Sequence, residues 1–278
     1  MFQITAIRRL SDAVWEFTVH APQIARAVKP GQFFMVKPDL DGERIPLTFS
    51  DWSADEGWIR FIFMRVGRTT HQMSEMSVGA ELMDIVGPLG MPSALTVGRW
   101  VVVGGGVGVA VAYAISRGLV EHGARVTTII GARNRDLLIL EDELRALDLE
   151  ALIVVTDDGS AGEKGLVTAP LARLCEAGEV DNAFLVGPAI MMKFASLTTK
   201  EYDVPTVVSL NPIMVDGTGM CGACRCTVGG EMKFGCVDGP DFDGHAVDWE
   251  ELMSRQRMFA EDERVADAEY TRECSCRP

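Results

Sequence analysis

The stretch VDGTGMCGACRCTVGGEMKFGCVDGPDFD, Val215–Asp243, decides how this chain is organised. It holds four of the seven cysteines, and three of them, Cys221, Cys224 and Cys236, follow the pattern C-x2-C-x11-C. A Cys-x-x-Cys pair lets two thiolates converge from one tight turn, and the glycines around it let the backbone wrap closely. The third thiolate arrives from the far end of a predicted small hairpin with Gly229-Gly230 at its tip. Cysteine loops of this kind hold zinc or an iron–sulfur cluster. A [2Fe–2S] cluster takes four ligands, and two residues compete for the fourth place. Asp216 stands five positions before the pair, giving D-x4-C-x2-C-x11-C. Cys226 lies two residues beyond Cys224 at the start of an alternating strand, so it points the same general way; its other reading is a buried strand cysteine. A non-catalytic module holding structural zinc is the reading from another class.

Upstream, residues 96–210 read as an α/β unit. Trp100–Val103 is a continuous apolar strand, followed by Gly104-Gly105-Gly106-Val107-Gly108 and an apolar helix to about Glu121. Strand, glycine loop and helix in that order form the context in which backbone N–H groups and a helix dipole meet a dinucleotide pyrophosphate. The match to G-x-G-x-x-G is imperfect, since Val109 stands where the third glycine would be. The βαβ pattern then repeats. Arg125–Ile130, Ala151–Thr156, Asn182–Val186 and Val207–Leu210 read as strands, with helices predicted over Asp136–Leu147 and near Val167–Glu176. Gly187-Pro188 opens a further helix. Open parallel sheets bind ligands at strand carboxyl ends, where Gly104–Gly108, Asp157-Asp158-Gly159 and Gly187-Pro188 all fall. Arg133 and Arg135 after the second strand suit a 2′-phosphate or are ordinary loop charges; the cofactor reads as NAD(H).

Residues 1–95 read as an antiparallel β-barrel, with short alternating runs at Phe2–Ile7, Val14–Val19, Phe33–Val36, Trp58–Val66 and Leu82–Val86. Two places in it suit a phosphate-bearing ligand. Arg44 precedes the extended segment Pro46-Leu47-Thr48, where an arginine can grip a pyrophosphate and the backbone beyond can lie along a flat ring. Arg65-Val66-Gly67-Arg68-Thr69-Thr70 reads as a strand entering a helix N-terminus, with His71 an exposed helix residue just after it.

Composition bounds the alternatives. At 278 residues, with 47% hydrophobic residues, the chain can bury the cores of two or three small domains. Its net charge of −14 argues against nucleic acid as a partner. The most apolar run, WVVVGGGVGVAVAYAI at Trp100–Ile115, is short for a membrane span and clusters its glycines at one point, so no membrane insertion is expected. No apolar h-region follows a basic start, so no secretory signal is expected. An odd number of cysteines in metal-type spacing points to a reducing cytoplasm. The domains read as 1–95, 96–210, a cluster domain over 211–247, and a C-terminal helix and tail over 248–278 in which Asp248 caps a helix reaching residue 259. The last stretch is acidic and reads as mobile or partner-bound; Cys274 and Cys276 form a C-x-C there.

The order of these parts resembles the ferredoxin–NADP reductase superfamily, and within it the dihydroorotate dehydrogenase electron-transfer subunit group. The run Met214–Phe259 is similar to the small (alpha) subunits of NADH-dependent reduced ferredoxin:NADP oxidoreductases, which bifurcate electrons at flavin. Those subunits have aspartate at the first ligand position where the dihydroorotate group has cysteine, so the resemblance implies Asp216, Cys221, Cys224 and Cys236 as the [2Fe–2S] ligands. It further implies FAD in the barrel, with Arg44 and Thr70 near the pyrophosphate and Pro46-Leu47-Thr48 along the ring. NAD(H) would lie across the Gly104–Gly108, Asp157–Gly159 and Gly187-Pro188 loops. The chemistry would be cofactor-borne, with no catalytic acid–base pair. The implied partner is a larger subunit with another FAD and two [4Fe–4S] clusters that handles NADPH and ferredoxin. The same cofactors would serve the electron-transfer subunit of a dihydroorotate or sulfide dehydrogenase.

Overall fold

The computed structural model describes residues 2–40 and 42–275, with side chains up to residue 272. Strands β1 (Phe2–Arg9), β2 (Val14–His20), β3 (Phe33–Lys37), β4 (Ile45–Ser53), β5 (Trp58–Met64), β6 (Glu81–Leu82) and β7 (Asp84–Leu89) form an antiparallel sheet, with the short helices α1 (Pro22–Ala25) and α2 (Arg68–Ser74) between them. The order is β6-β1-β2-β5-β4-β3-β7. Its two end strands are successive in the chain, with only Met83 between them, so the sheet curls round and closes through one interrupted strand. The period-two alternation places Phe17, Phe34, Phe49, Phe61 and Phe63 in one buried cluster. Phe17 and Phe63 meet edge to face at 5.0 Å.

The second sheet holds β8 (Arg99–Gly105), β9 (Arg125–Ala132), β10 (Ala151–Thr156), β11 (Glu163–Lys164), β12 (Asn182–Val186) and β13 (Thr206–Ser209), in the order β11-β10-β9-β8-β12-β13. All these neighbours run parallel. Helices α3 (Val109–Glu121), α4 (Glu141–Arg145), α5 (Thr168–Glu176) and α6 (Ala189–Lys200) make the connections. The helix predicted over Asp136–Leu147 is not continuous. A 3-10 turn spans Arg135–Leu137, and only the five residues of α4 are α-helical. Leu138, Ile139 and Leu140 all pack into one apolar cluster, whereas three consecutive residues on a helix fan out over about 200°. The chain breaks to bury all three, and Leu140 takes a left-handed conformation at φ 58°.

Beyond β13 come the hairpin β14 (Arg225–Val228) and β15 (Glu231–Phe234), the short strand β16 (Asp241–Asp243), and helices α7 (Trp249–Gln256) and α8 (Ala260–Ser275). Gly229 and Gly230 turn the hairpin at φ 61° and 79°, a conformation open to glycine at little cost. Strand β16 runs antiparallel onto the free edge of β13, pairing Asp243 with Val207 and Asp241 with Ser209. The cysteine loop is thereby stitched into the nucleotide-type sheet. Asp248 caps α7 as expected, its Oδ1 accepting the Glu251 N–H at 2.9 Å.

The acidic end, which the sequence reads as mobile or partner-bound, is helical in α8. Helix α8 exposes Glu261, Asp262, Glu263 and Glu269 and returns its far end to α2. Tyr270 is buried there and donates its hydroxyl to Glu75 Oε2 at 3.0 Å. Asp267, one turn earlier, lies 3.0 Å from His71 Nδ1. His71 is therefore a partly covered contact residue rather than an exposed one. Cys276 and the Cys274 side chain lie outside the described residues. Among the described residues no helix is long and apolar enough to cross a membrane.

Candidate functional site

In the curled sheet, the two phosphate-type segments are neighbours. Thr69 Oγ1 accepts the Glu43 backbone N–H at 3.3 Å, which ties the turn before Arg44 to the start of α2. Arg44 Nη2 reaches Asp84 Oδ2 at 2.5 Å with the arginine half exposed, leaving guanidinium N–H groups toward solvent. The Thr70 hydroxyl is committed to its own turn: it accepts from the Val66 and Gly67 N–H groups at 3.0 and 3.1 Å and donates to Gly67 O at 2.9 Å. An anion at this helix start would be held by backbone N–H groups rather than by that hydroxyl. Arg65 is also engaged, its guanidinium 5.3 Å from the Trp15 ring centroid. Pro46, Leu47 and Thr48 sit half-buried on β4 opposite Met35, Phe34 and Phe33, with Leu47 packed on the barrel core and Pro46 and Thr48 on the alternate face of the strand. A Cβ on Gly67 would meet nothing within 4 Å, so the backbone there is open to a ligand.

In the parallel sheet, the carboxyl ends of β8 and β12 meet. A Cβ on Gly108 would lie 2.7 Å from Val186 O, and one on Gly187 would lie 3.0 Å from Gly105 O. The Gly104–Gly108 loop and Gly187-Pro188 thus form one continuous backbone ledge, and only glycine permits the approach. Gly106 stands out from this ledge at φ 56° with open space beside it. Asp157, Asp158 and Gly159 follow β10 on the same sheet end, two strands from β8. Asp158 Oδ1 accepts the Ser160 N–H and hydroxyl at 2.9 and 2.6 Å, and these bonds hold its carboxyl below the usual range.

In the cysteine loop, Cys224 and Cys236 are buried with sulfurs 3.2 Å apart, beside Phe33 and Met35 of β3. Cys221 is exposed at the rim. Asp216 is bound to the same turn: Oδ1 accepts the Thr218 N–H at 2.7 Å and Oδ2 the Cys221 N–H at 3.0 Å. These bonds, that from Thr218 foremost, lower its pKa. Cys226 faces elsewhere. It packs in another apolar cluster with Val247, Trp249 and Leu252, and burial pushes its thiol up to about 11. Among the described residues no three metal-type side chains converge tightly enough for a single metal ion. What the loop offers is two adjacent buried thiols and, in the turn before them, a carboxylate and an exposed thiol, a donor set that suits a larger iron–sulfur group. Sequence reasoning missed the Glu43–Thr69 tie and the return of α8, because neither has a local signal.

A curled antiparallel sheet with a pyrophosphate-type helix end, joined to a parallel nucleotide sheet, defines a reductase of the ferredoxin–reductase fold, here carrying an added cysteine loop. Residues 102–197 match the family model of the oxidoreductase NAD-binding domain. Residues 211–248 match that of the iron–sulfur cluster binding domain of dihydroorotate dehydrogenase B. Over 259 residues the chain is 47% identical to the dihydroorotate dehydrogenase B (NAD(+)) electron transfer subunit homolog of Thermotoga maritima, covering 93% of this chain and 91% of that protein. It is 30% identical over 257 residues to the electron transfer subunit of Desulforamulus reducens, covering 89% and 97%. Among solved structures, a chain of an NADH-dependent reduced ferredoxin-NADP oxidoreductase superimposes with a TM-score of 0.92 at 45% identity, covering 98% of each chain. The ferredoxin reductase of carbazole 1,9a-dioxygenase, at 22% identity and a TM-score of 0.62 over 73% of this chain and 65% of that one, shares the fold. The chain belongs to the family of dihydroorotate dehydrogenase B electron-transfer subunits. It is an oxidoreductase subunit of a larger complex, working with FAD, an iron–sulfur cluster and NAD(H).

Proposed function

We propose that this chain is the small subunit of an electron-bifurcating NADH-dependent ferredoxin:NADP oxidoreductase, exchanging hydride with NAD(H) at FAD and passing single electrons through a [2Fe–2S] cluster to a larger partner. The observation that carries the reading is the likeness, over nearly its whole length, to a chain of that oxidoreductase. When bound, the flavin and the cluster supply the conversion between two-electron and one-electron chemistry that no side chain performs. The protein's own residues bind, orient and exclude water. Arg44 and the first-turn N–H groups of α2, with Arg65, Val66, Gly67, Thr69 and Thr70 shaping that turn, would hold the FAD pyrophosphate. Pro46, Leu47 and Thr48 would flank its ring. The ledge of Gly104, Gly105, Gly106, Val107, Gly108, Gly187 and Pro188 would take the NAD(H) pyrophosphate, with Asp157, Asp158 and Gly159 beside it.

Asp216, Cys221, Cys224 and Cys236 would ligate the cluster. The turn that places Asp216 against the Cys221 N–H and the seating of Cys226 in a separate core both favour this set. Asp216→Ala is expected to lose the two-iron absorbance and electron paramagnetic signal, while Cys226→Ser keeps both; a Cys226→Ser protein without the cluster would overturn the ligand set. The larger partner would bring another FAD and two [4Fe–4S] clusters, with NADPH and ferredoxin as its substrates. Anaerobic affinity purification from the native cell tests this through the metal, flavin and activity of the co-purified subunit. A partner that oxidises dihydroorotate would move the function to the second reading, which the names of the family relatives favour.

A further inference from the structure

The curled sheet and the nucleotide sheet meet at a buried charged contact. Arg117, on the third turn of α3, lays its guanidinium 4.6 Å from the centre of the Trp52 ring and donates through Nη1 to Asp51 Oδ1. The other oxygen of Asp51 accepts from Arg60 Nη1 at 3.2 Å. The Arg117 and Asp51 side chains are only 18% and 13% exposed. Arg117 Nε has no hydrogen-bond partner, and Glu121 lies 3.6 Å from it. Tyr113, one turn earlier on α3, is half-buried in the same contact. Taking an arginine and a carboxylate out of water is costly, and such a pair adds little net stability over apolar packing. What it does supply is a fixed register, because a planar guanidinium stacked on one side and bonded on the other tolerates little sliding.

The two elements that it joins are those that carry the cofactor segments. Asp51 lies on β4 three residues beyond Thr48, about 10 Å along the strand. Arg117 lies nine residues beyond Gly108, about 14 Å along the helix. The contact is therefore displaced from both segments, and it is one of several places where α3 and its glycine loop meet the curled sheet, Val109 and Ala110 packing with Val14 and Ile62 nearer the loop. We propose that Arg117 is a positioning residue: by locking α3 onto Asp51 and Trp52 it fixes the separation of the flavin-bearing strand and the nicotinamide-bearing loop. Hydride transfer requires the reacting atoms about 3–3.5 Å apart, and a misplacement of about 1 Å costs up to a hundredfold in rate. The inference rests on the assignment of β4 and Gly104–Gly108 as those two segments.

The test is anaerobic rapid mixing of the FAD-loaded protein with NADH, reading flavin bleaching per bound flavin. One hydride, two electrons and a proton, leaves NADH as NAD+ and reduces the flavin. For Arg117→Met the limiting rate is expected to fall about ten- to a hundredfold with the half-saturating NADH concentration unchanged. Arg117→Lys should fall between the two, since it keeps the charge on Asp51 and loses the stacked plane. In the flavin-free chain, hydrogen–deuterium exchange should rise in Arg117→Met over residues 50–53 and 117–121. An Arg117→Met protein that bleaches at the wild-type limiting rate overturns the proposal, as does a rate loss equal in Arg117→Lys. If Arg117→Met does not fold, Trp52→Leu, which removes the stack and keeps the ion pair, must show the same rate loss or the proposal fails. A wild-type protein that NADH does not bleach would instead overturn the cofactor assignment beneath it.

Discussion

Asp241 shows how one side chain ties stability to pH. Its Oδ2 accepts from the hydroxyl of Ser93, the Ser209 side chain lies beside the carboxyl, and Oδ1 is buried without a partner. Burial raises its pKa to about 6. The folded protein therefore keeps this proton up to about pH 6, whereas the unfolded chain releases it near pH 4. Between those values the folded state binds more protons, so its stability falls as pH rises, by about 2–3 kcal/mol in total from this group. Asp241→Asn should remove that part of the slope and be at least as stable as wild type at pH 7.5. Thermal unfolding of both proteins at pH 4.5 and 7.5 checks it, and parallel slopes would show that the carboxyl is ionised throughout. At this scale the sequence was read well where a residue acts locally. Asp248 as a helix cap and Gly229-Gly230 as a hairpin tip are set by neighbours within four positions. Nothing near Asp241 in the sequence announces its burial, because the serine that bonds it stands 148 residues away.

The elements of the nucleotide sheet were legible for the same reason. A strand buried on both faces is a continuous apolar run, and β8, β10 and β12 announce themselves that way, while β9 shows it only from Ile129 on. The helix predicted over Asp136–Leu147 fails in its first half because tertiary packing needs three adjacent side chains on one side. The ledge formed by β8, α3 and β12 yields a graded prediction. Gly108→Ala pushes a methyl to 2.7 Å from Val186 O, so the β12–α6 turn must move; about 1–3 kcal/mol of stability should be lost, and NAD+ affinity with it. Gly106→Ala meets open space and bears only the left-handed backbone cost of about 1–2 kcal/mol. Calorimetric titration with NAD+ and unfolding midpoints for both variants separate steric from conformational effects. Equal loss of binding in the two would mean that the ledge is not a contact surface for the dinucleotide.

Across the whole molecule, the chain's end returns to its beginning. Tyr270 and Glu75 are 195 residues apart, and with Asp267 and His71 they moor α8 to the barrel helix α2. No sequence pattern announces such a tie, since each partner sits in an ordinary polar helix. Tyr270→Ala should free α8 by local opening rather than unfold a core, because the helix is otherwise largely exposed. Limited proteolysis should then cut within residues 260–275 many times faster, with the main unfolding midpoint nearly unchanged. A large drop in that midpoint would mean that α8 is part of a cooperative core. The antiparallel pairing of β16 on β13 has a different bearing. Because that strand closes the open side of the nucleotide sheet, and because Cys226, Val247, Trp249 and Leu252 share the core beneath it, the iron–sulfur portion is not a detachable cassette. Shortened after residue 210, the protein would bare a strand edge and an apolar face together, the combination that invites aggregation. The rim of the nucleotide sheet is thus also a floor for the cysteine loop, and the two portions are expected to melt in one step.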